Sequence, residues 1–193
     1  MANAKVLNTT GTQIRTGECR LSYCNLIDPK KFKETDKEAK FSCTLLIPKD
    51  TEEGKGTYQM LMSAVTEAAK LGAQKHFGGR VPTNPNHTVK DGDTDVDDLG
   101  ELKSKKDPSI AGHWVLRLSS KYRPVLKVLD GTNIIDLKNP EDVYSGMRGV
   151  VSCTAFAYSG EGRRGISFVL NNVCKTRDDE PLVNRLMGDE FGE

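Results

Sequence analysis

The sequence predicts a mainly β fold: an OB-fold-like barrel of five to six strands, with one α-helix at about residues 57–71 and long polar loops. Segments of alternating or β-branched residues recur along the 193 residues, and clusters of Gly, Pro, Asp and Asn separate them. A single Ala-, Leu- and Met-rich segment interrupts the series. This patterning is compatible with an OB-fold but does not distinguish it from an unrelated β-sandwich, so both architectures stay open.

Six segments have the pattern of strands: residues 18–26, 40–48, 112–119, 124–128, 149–158 and 165–173. In residues 112–119 the alternation places Trp114, Leu116 and Leu118 on one face and Arg117 on the other, together with His113, Val115 and Ser119. A sheet surface that carries cations beside aromatic rings can hold phosphates and stack bases.

The helix is predicted from apolar residues at helical spacing, which are Leu61, Val65, Ala68 and Ala69. Gly72 offers a natural stop. The polar stretch 77–109 is expected to form extended loops. We expect one domain over residues 1–177 and an acidic, flexible C-terminal tail over residues 178–193.

The formal net charge of +1 conceals an uneven distribution. Residues 103–127 carry seven Lys or Arg against one acid, and residues 148–177 carry five against one. Six acids lie within residues 91–101, and six more follow residue 177. Because a partner responds to the local field, the sequence predicts a basic body with an acidic tail.

Several function classes find little support in the sequence. It has no apolar run near the roughly 20 residues of a membrane span and no apolar segment typical of a signal peptide, which predicts a cytoplasmic protein without membrane contact. No nucleophile motif surrounds the three histidines, and no glycine-rich phosphate loop is present, so neither catalysis nor a cofactor is expected.

Metal binding is also not expected. The five cysteines form no CxxC pair, and Cys43, Cys153 and Cys174 lie among apolar residues, as reduced packed thiols do. The acidic run 91–98 fails as a calcium loop, because Val96 stands where glycine is required and Leu102 where glutamate belongs.

Basic and aromatic residues that occur together are the candidates for binding nucleic acid, since cations hold phosphates and rings stack on bases. The candidates are Trp114, Arg117, Lys121, Tyr122, Arg123, Lys127, Tyr144, Arg148, Tyr158, Arg163 and Arg164. The alternatives stay open: Trp114 and Tyr144 could be packing residues, and the cations a solvated edge or turn. Lys103, Lys105 and Lys106 form a further patch, which is expected to be mobile.

The end of the chain combines acids with an aromatic residue. Asp189, Glu190, Phe191 and Glu193 could lie in a basic groove until DNA displaces them and could then contact partner proteins. The alternative is a disordered, solubilising end.

Four segments follow one another along the chain: FSCTLLIPKD, LKSKKDPSIAGHWVLRLSSKYRP, VYSGMRGVVSCTAFAY and GRRGISFVLNNVCK, and the acidic end with Phe191 comes after them. This order of segments resembles a family of phage single-stranded DNA-binding proteins. The resemblance covers roughly residues 18–175. It implies an OB barrel with a helix outside it, DNA crossing a basic and aromatic groove, and a tail that contacts replication partners.

Together, the residues and the resemblance predict a non-enzymatic protein that binds and protects single-stranded DNA in phage replication or recombination. It would act in the host bacterial cytoplasm with little sequence preference. Its expected partners are single-stranded DNA and replication or recombination proteins, and a homodimer stays open. The alternatives are a structural or host-interaction β module and a metal-dependent nuclease that uses the acids of residues 91–98.

Overall fold

The computed structural model describes residues 3–160 and 162–182. Its ten strands are β1 (Lys5–Val6), β2 (Gln13–Arg15), β3 (Cys19–Lys30), β4 (Lys40–Pro48), β5 (Val89–Asp91), β6 (His113–Ser120), β7 (Val125–Asp130), β8 (Asn133–Asp136), β9 (Arg148–Gly160) and β10 (Arg163–Arg177). The helices are α1 (Glu52–His76) and the single turn α2 (Lys103–Lys106), with 3₁₀ turns at Pro108–Ile110 and Pro140–Asp142.

Five of these strands form a closed ring. β3 pairs antiparallel with β4 and β9, and β4 pairs antiparallel with β6. β6 then pairs in parallel with β10, where Ser119 lies opposite Val169, and the long antiparallel pairing of β10 with β9 completes the ring. A single ring with one parallel pair confirms the OB-like barrel over the sandwich of two sheets.

The alternation predicted from the sequence places the core inside this ring. Leu45 and Ile47 of β4, with Leu116 and Leu118 of β6, are fully buried. Arg117 lies on the opposite face of β6, as predicted. Cysteines join the same core, where burial raises the pKa of the Cys19 thiol to about 12, so these are packed thiols.

Helix α1 lies outside the barrel against β9 and extends beyond its predicted bounds. Thr51 caps its N-terminus by accepting a hydrogen bond from the backbone N–H of Gly54. The prediction that Gly72 ends the helix is wrong, because Gly72 is buried within it. A Cβ at Gly72 would lie 2.2 Å from the Cβ of Ala157 on β9, so glycine allows the close approach of helix and strand.

The polar stretch 77–109 is more ordered than predicted. It contains β5, which pairs with the first half of β6, followed by α2 and a 3₁₀ turn. A bridge from His87 to Ile166 joins this insertion to β10. The insertion therefore lies where β6 and β10 are not paired with each other. No helix in the described part of the chain is long and apolar enough to cross a membrane.

Candidate nucleic-acid interface

A groove of about 460 Å³ lies on the outer face of the barrel, between strands β3, β4 and β6 and the 77–109 insertion. Thr44, Val115 and Arg117 of the two central strands contribute to its lining, Tyr23 of β3 lies at one side, and α2 with the following turn forms the other side. We call it the outer groove. Its lining residues are Tyr23, Thr44, Thr88, Lys90, Asp95, Lys103, Lys106, Asp107, Ile110, Val115 and Arg117.

Arg117 is the cation that β6 contributes to the outer groove. Its guanidinium carbon lies 3.4 Å from the centroid of the Phe32 ring, a cation–π contact that fixes the plane of the group. Within the described residues its side chain makes no hydrogen bond and no ion pair. Burial lowers the pKa of the guanidinium, although arginine stays charged at neutral pH. A fixed cation without a carboxylate partner is suited to an anionic ligand.

The opposite side of the groove carries two lysines that ion pairs hold in place. Lys103 Nζ lies 2.8 Å from Asp95 and Lys106 Nζ lies 2.5 Å from Asp97. The hydrogen bond from Lys106 and those from backbone N–H groups lower the pKa of Asp97 to about 2. Both lysine side chains are about half exposed, so the mobility of this patch stays a prediction. An ammonium group has three donors, so each lysine keeps donors for a phosphate.

Asp91 and Asp93 of the same acidic run are engaged in a similar way. Lys49 Nζ lies 2.5 Å from Asp91 and 2.7 Å from Asp93. The pKa values of both carboxyls are lowered, chiefly by the hydrogen bond from Lys49. Among the residues that the structure describes, no group of three or more His, Cys, Asp or Glu is arranged to hold a metal ion. Asp91, Asp93, Asp95 and Asp97 are thus paired with lysines.

The single Trp lies away from the outer groove. The ring of Trp114 stacks on that of Tyr58 from α1, with centroids 4.1 Å apart and planes 11° from parallel. It packs against the core cluster, so this contact favours the packing alternative for Trp114.

The basic turn after β6 continues from the outer face of that strand. Lys121 forms a 2.6 Å ion pair with Glu38, in the loop that also supplies Phe32. The side chain of Tyr122 is 84% exposed, and the guanidinium of Arg123 lies 5.6 Å from the ring of Phe41. Contact of these three residues with nucleic acid stays a prediction.

Lys127 lies elsewhere, on the β7–β8 hairpin, where it is paired with Asp136. Tyr158, Arg163 and Arg164 are on the β9–β10 hairpin, which carries both arginines exposed near its tip. Neither group lines the outer groove. Their contact with nucleic acid stays a prediction.

Tyr144 and Arg148 bind the beginning of the predicted tail. Arg148 Nε lies 2.7 Å from Asp179, and the Tyr144 hydroxyl donates to Asp178 over 2.9 Å. Lys175 lies 5.0 Å from the centroid of the Tyr144 ring. These contacts place the two residues outside the outer groove. The predicted tail contacts of Asp189, Glu190, Phe191 and Glu193 lie outside the described residues.

The structure brings to the groove several residues that the sequence patterns did not single out. Tyr23 and Phe32 supply the rings beside Arg117, and neither is near it in sequence. Tyr23 has a positive φ of 49°, which no sequence pattern signals.

The known proteins that match this chain are phage single-stranded DNA-binding proteins. The family model described as Enterobacter phage Enc34, ssDNA-binding protein, matches residues 12–193. A C-terminally truncated bacteriophage Enc34 single-stranded DNA-binding protein has a similar structure, with a TM-score of 0.68 and 24% identity over 94% of each chain. The structure of the Enc34 protein in complex with ssDNA matches this chain with a TM-score of 0.67, again at 24% identity over 94% of each chain.

A more distant structure has the same fold. The chain matches gp2.5, a single-stranded DNA-binding protein encoded by bacteriophage T7, with a TM-score of 0.58 and 10% identity. This match covers 94% of this chain and 97% of that one. None of the curated proteins compared with the chain matches it.

Proposed function

Because this chain belongs to the family of the Enterobacter phage Enc34 single-stranded DNA-binding protein, we propose that it binds single-stranded DNA in the outer groove. Arg117 is the observation that supports this site most directly. Its guanidinium is oriented by Phe32 and has no carboxylate partner among the described residues. A phosphate of the strand would supply the missing partner, because a guanidinium group can form two parallel hydrogen bonds to the oxygens of one phosphate.

The other residues of the groove fit the same ligand. Lys103 and Lys106 face Arg117 from the opposite side and retain donors for further phosphates. Tyr23, which lines the groove, and Phe32, which contacts Arg117 from the neighbouring loop, are each 40% exposed, and this leaves aromatic surface for a base. Stacking and phosphate contacts depend little on base identity, so binding is expected to be nearly independent of sequence.

Occupancy alone accounts for the proposed role in phage replication or recombination, in the cytoplasm of the host. A protein that binds the open strand and not the duplex shifts the equilibrium towards the open strand and shields it from nucleases. No reaction is needed for this role.

We also propose that the acids and Phe191 at the C-terminus contact replication or recombination proteins, and that Lys121, Tyr122 and Arg123 extend the DNA path. Self-association stays open.

Substitution of Arg117 tests the site. We expect R117A to weaken binding of a labelled oligo(dT) of about 30 nucleotides by about tenfold or more, because the central phosphate contact is lost. The dependence of log K on log salt should become shallower by about 0.7, the contribution of one phosphate in single-stranded DNA. Fluorescence anisotropy across a salt series measures both quantities.

K70A is the matched control, because it removes the same unit charge from the outer helix α1. It should leave affinity nearly unchanged. Equal effects of R117A and K70A would show that net charge, and not the outer groove, determines binding.

A further inference from the structure

Tyr23 has an unusual backbone conformation at the side of the outer groove. It is the sole non-glycine residue with a positive φ in the described part of the chain. It lies within β3 where the pairing with β4 shifts between Ser22 and Asn25. A bulky side chain disfavours this conformation, and residues held in it occur preferentially at functional sites.

Neighbouring hydrogen bonds hold this backbone in place. The next residue, Cys24, donates its backbone N–H to the Ser145 hydroxyl over 3.1 Å. The Asn25 side chain donates to the carbonyl oxygen of Tyr23 over 3.2 Å. The irregularity is therefore built into the strand, and it directs the Tyr23 ring to the groove.

The Tyr23 hydroxyl joins the two sides of the groove. It donates to Asp107 Oδ2 over 3.2 Å, between residues 84 positions apart in the chain. The other oxygen of Asp107 accepts from the backbone N–H and the hydroxyl of Ser109, which fixes the carboxylate. Tyr23, Asp107 and Arg117 line the same cavity.

This bond is long and solvent-exposed, so it is easily broken. Burial and the neighbouring Asp107 raise the pKa of Tyr23, so the hydroxyl remains a donor at neutral pH. Tyr23, Asp107 and Arg117 line the same groove, so a strand bound at Arg117 would lie against this bond and would part it where a base takes the Tyr23 ring. The carboxylate would then lose its donor, and the ring would gain a base on which to stack.

We propose that Tyr23 is the latch of the outer groove: its hydroxyl is bonded to Asp107 in the free protein, and its ring stacks on a base when single-stranded DNA enters. This inference rests on the proposed function. The hydroxyl and the ring of Tyr23 then have opposite effects on DNA affinity: the hydroxyl lowers it and the ring raises it.

The test compares Y23F with Y23A in the full-length chain, by anisotropy with the same oligo(dT). Y23F removes the latch and keeps the ring, so we expect about two- to fivefold tighter binding. Y23A removes both, and we expect about tenfold weaker binding. Y23N should weaken binding like Y23A, and asparagine tolerates a positive φ, which keeps the backbone conformation accessible.

Two controls separate the latch from other effects. Y58F removes a tyrosine hydroxyl on α1, away from the outer groove, that has no hydrogen-bond partner among the described residues, and its affinity should equal that of the wild type. In a D107A background the latch is already absent, so adding Y23F should give no further gain.

The outcomes distinguish the two proposals. If the wild type fails to bind oligo(dT), the proposed function itself is wrong. If the wild type binds but Y23F binds no more tightly, or both Y23A and Y23N bind as well as the wild type, the latch is wrong and the outer groove can still be the site.

Discussion

Trp114 and Arg117 lie on the same strand but have different roles, one in packing and one in the proposed binding site. They lie three positions apart on β6 and therefore face opposite sides of it. Trp114 stacks on Tyr58 and packs against the core, whereas Arg117 faces the outer groove. Both were candidates from sequence because each belongs to a basic and aromatic segment. Only contacts from other elements, α1 for one and the loop containing Phe32 for the other, separate their roles.

The position of Trp114 gives a prediction at the residue scale. Since it is the single Trp and lies away from the groove, its emission should stay unchanged when the protein is saturated with oligo(dT). W114A should lower the free energy of unfolding by about 3 kcal/mol, through loss of aromatic packing. Fluorescence titration and urea unfolding measure these effects. Strong quenching by oligo(dT) would instead place Trp114 against the bases.

At the element scale, long patterns were predictable and short ones were not. β4 was predicted with its observed bounds, Lys40–Pro48, because a nine-residue strand has room for a clear pattern. Strands β1, β2, β5 and β8 were missed because each has only two to four residues. Pairing with neighbours that are distant in sequence, and not local preference, makes such segments strands.

The C-terminal end of helix α1 also could not be predicted from the local sequence. The apolar spacing predicted the helix, but a glycine near its C-terminus has two meanings in a sequence: a stop, or a site of close packing. The position of Ala157 on β9 decides between them at Gly72. That position is a property of the folded chain and could not be predicted from residues near Gly72.

Two glycine substitutions in α1 should therefore have opposite effects. G72A places a Cβ 2.2 Å from that of Ala157 and should lower the free energy of unfolding by about 1–3 kcal/mol. G56A meets nothing within 4 Å and should raise it by about 0.5–1 kcal/mol, because alanine is the better helix former. Urea unfolding measures both, and a neutral G72A would contradict the close packing of α1 on β9.

At the scale of the whole molecule, acids and bases are nearly equal in number, and many of them are paired locally. The acids of residues 91–97 bind Lys49, Lys103 and Lys106, and Asp179 binds Arg148. Arg117 is left in the outer groove without such a partner among the described residues. The sequence could predict that basic and acidic segments exist, but their pairing depends on how the 77–109 insertion folds onto the barrel.

The outer groove itself was only partly predictable. The alternation in β6 predicted that Arg117 lies opposite Leu116 and Leu118. Tyr23 and Asp107 line the groove from a bulge and the insertion, and Phe32 contacts Arg117 from a loop. Local sequence patterns do not connect these elements. The family resemblance predicted a basic and aromatic groove but did not identify these residues.

The central claim is that the protein selects the single strand. Its most direct test is the binding of the full-length chain to labelled oligo(dT) of about 30 nucleotides and to a duplex of the same length, by anisotropy across a salt series. We expect tight binding of oligo(dT) that weakens as salt rises, and much weaker binding of the duplex at each salt concentration. Equal affinity for the two, or no binding of oligo(dT), would contradict the account and favour a structural β module.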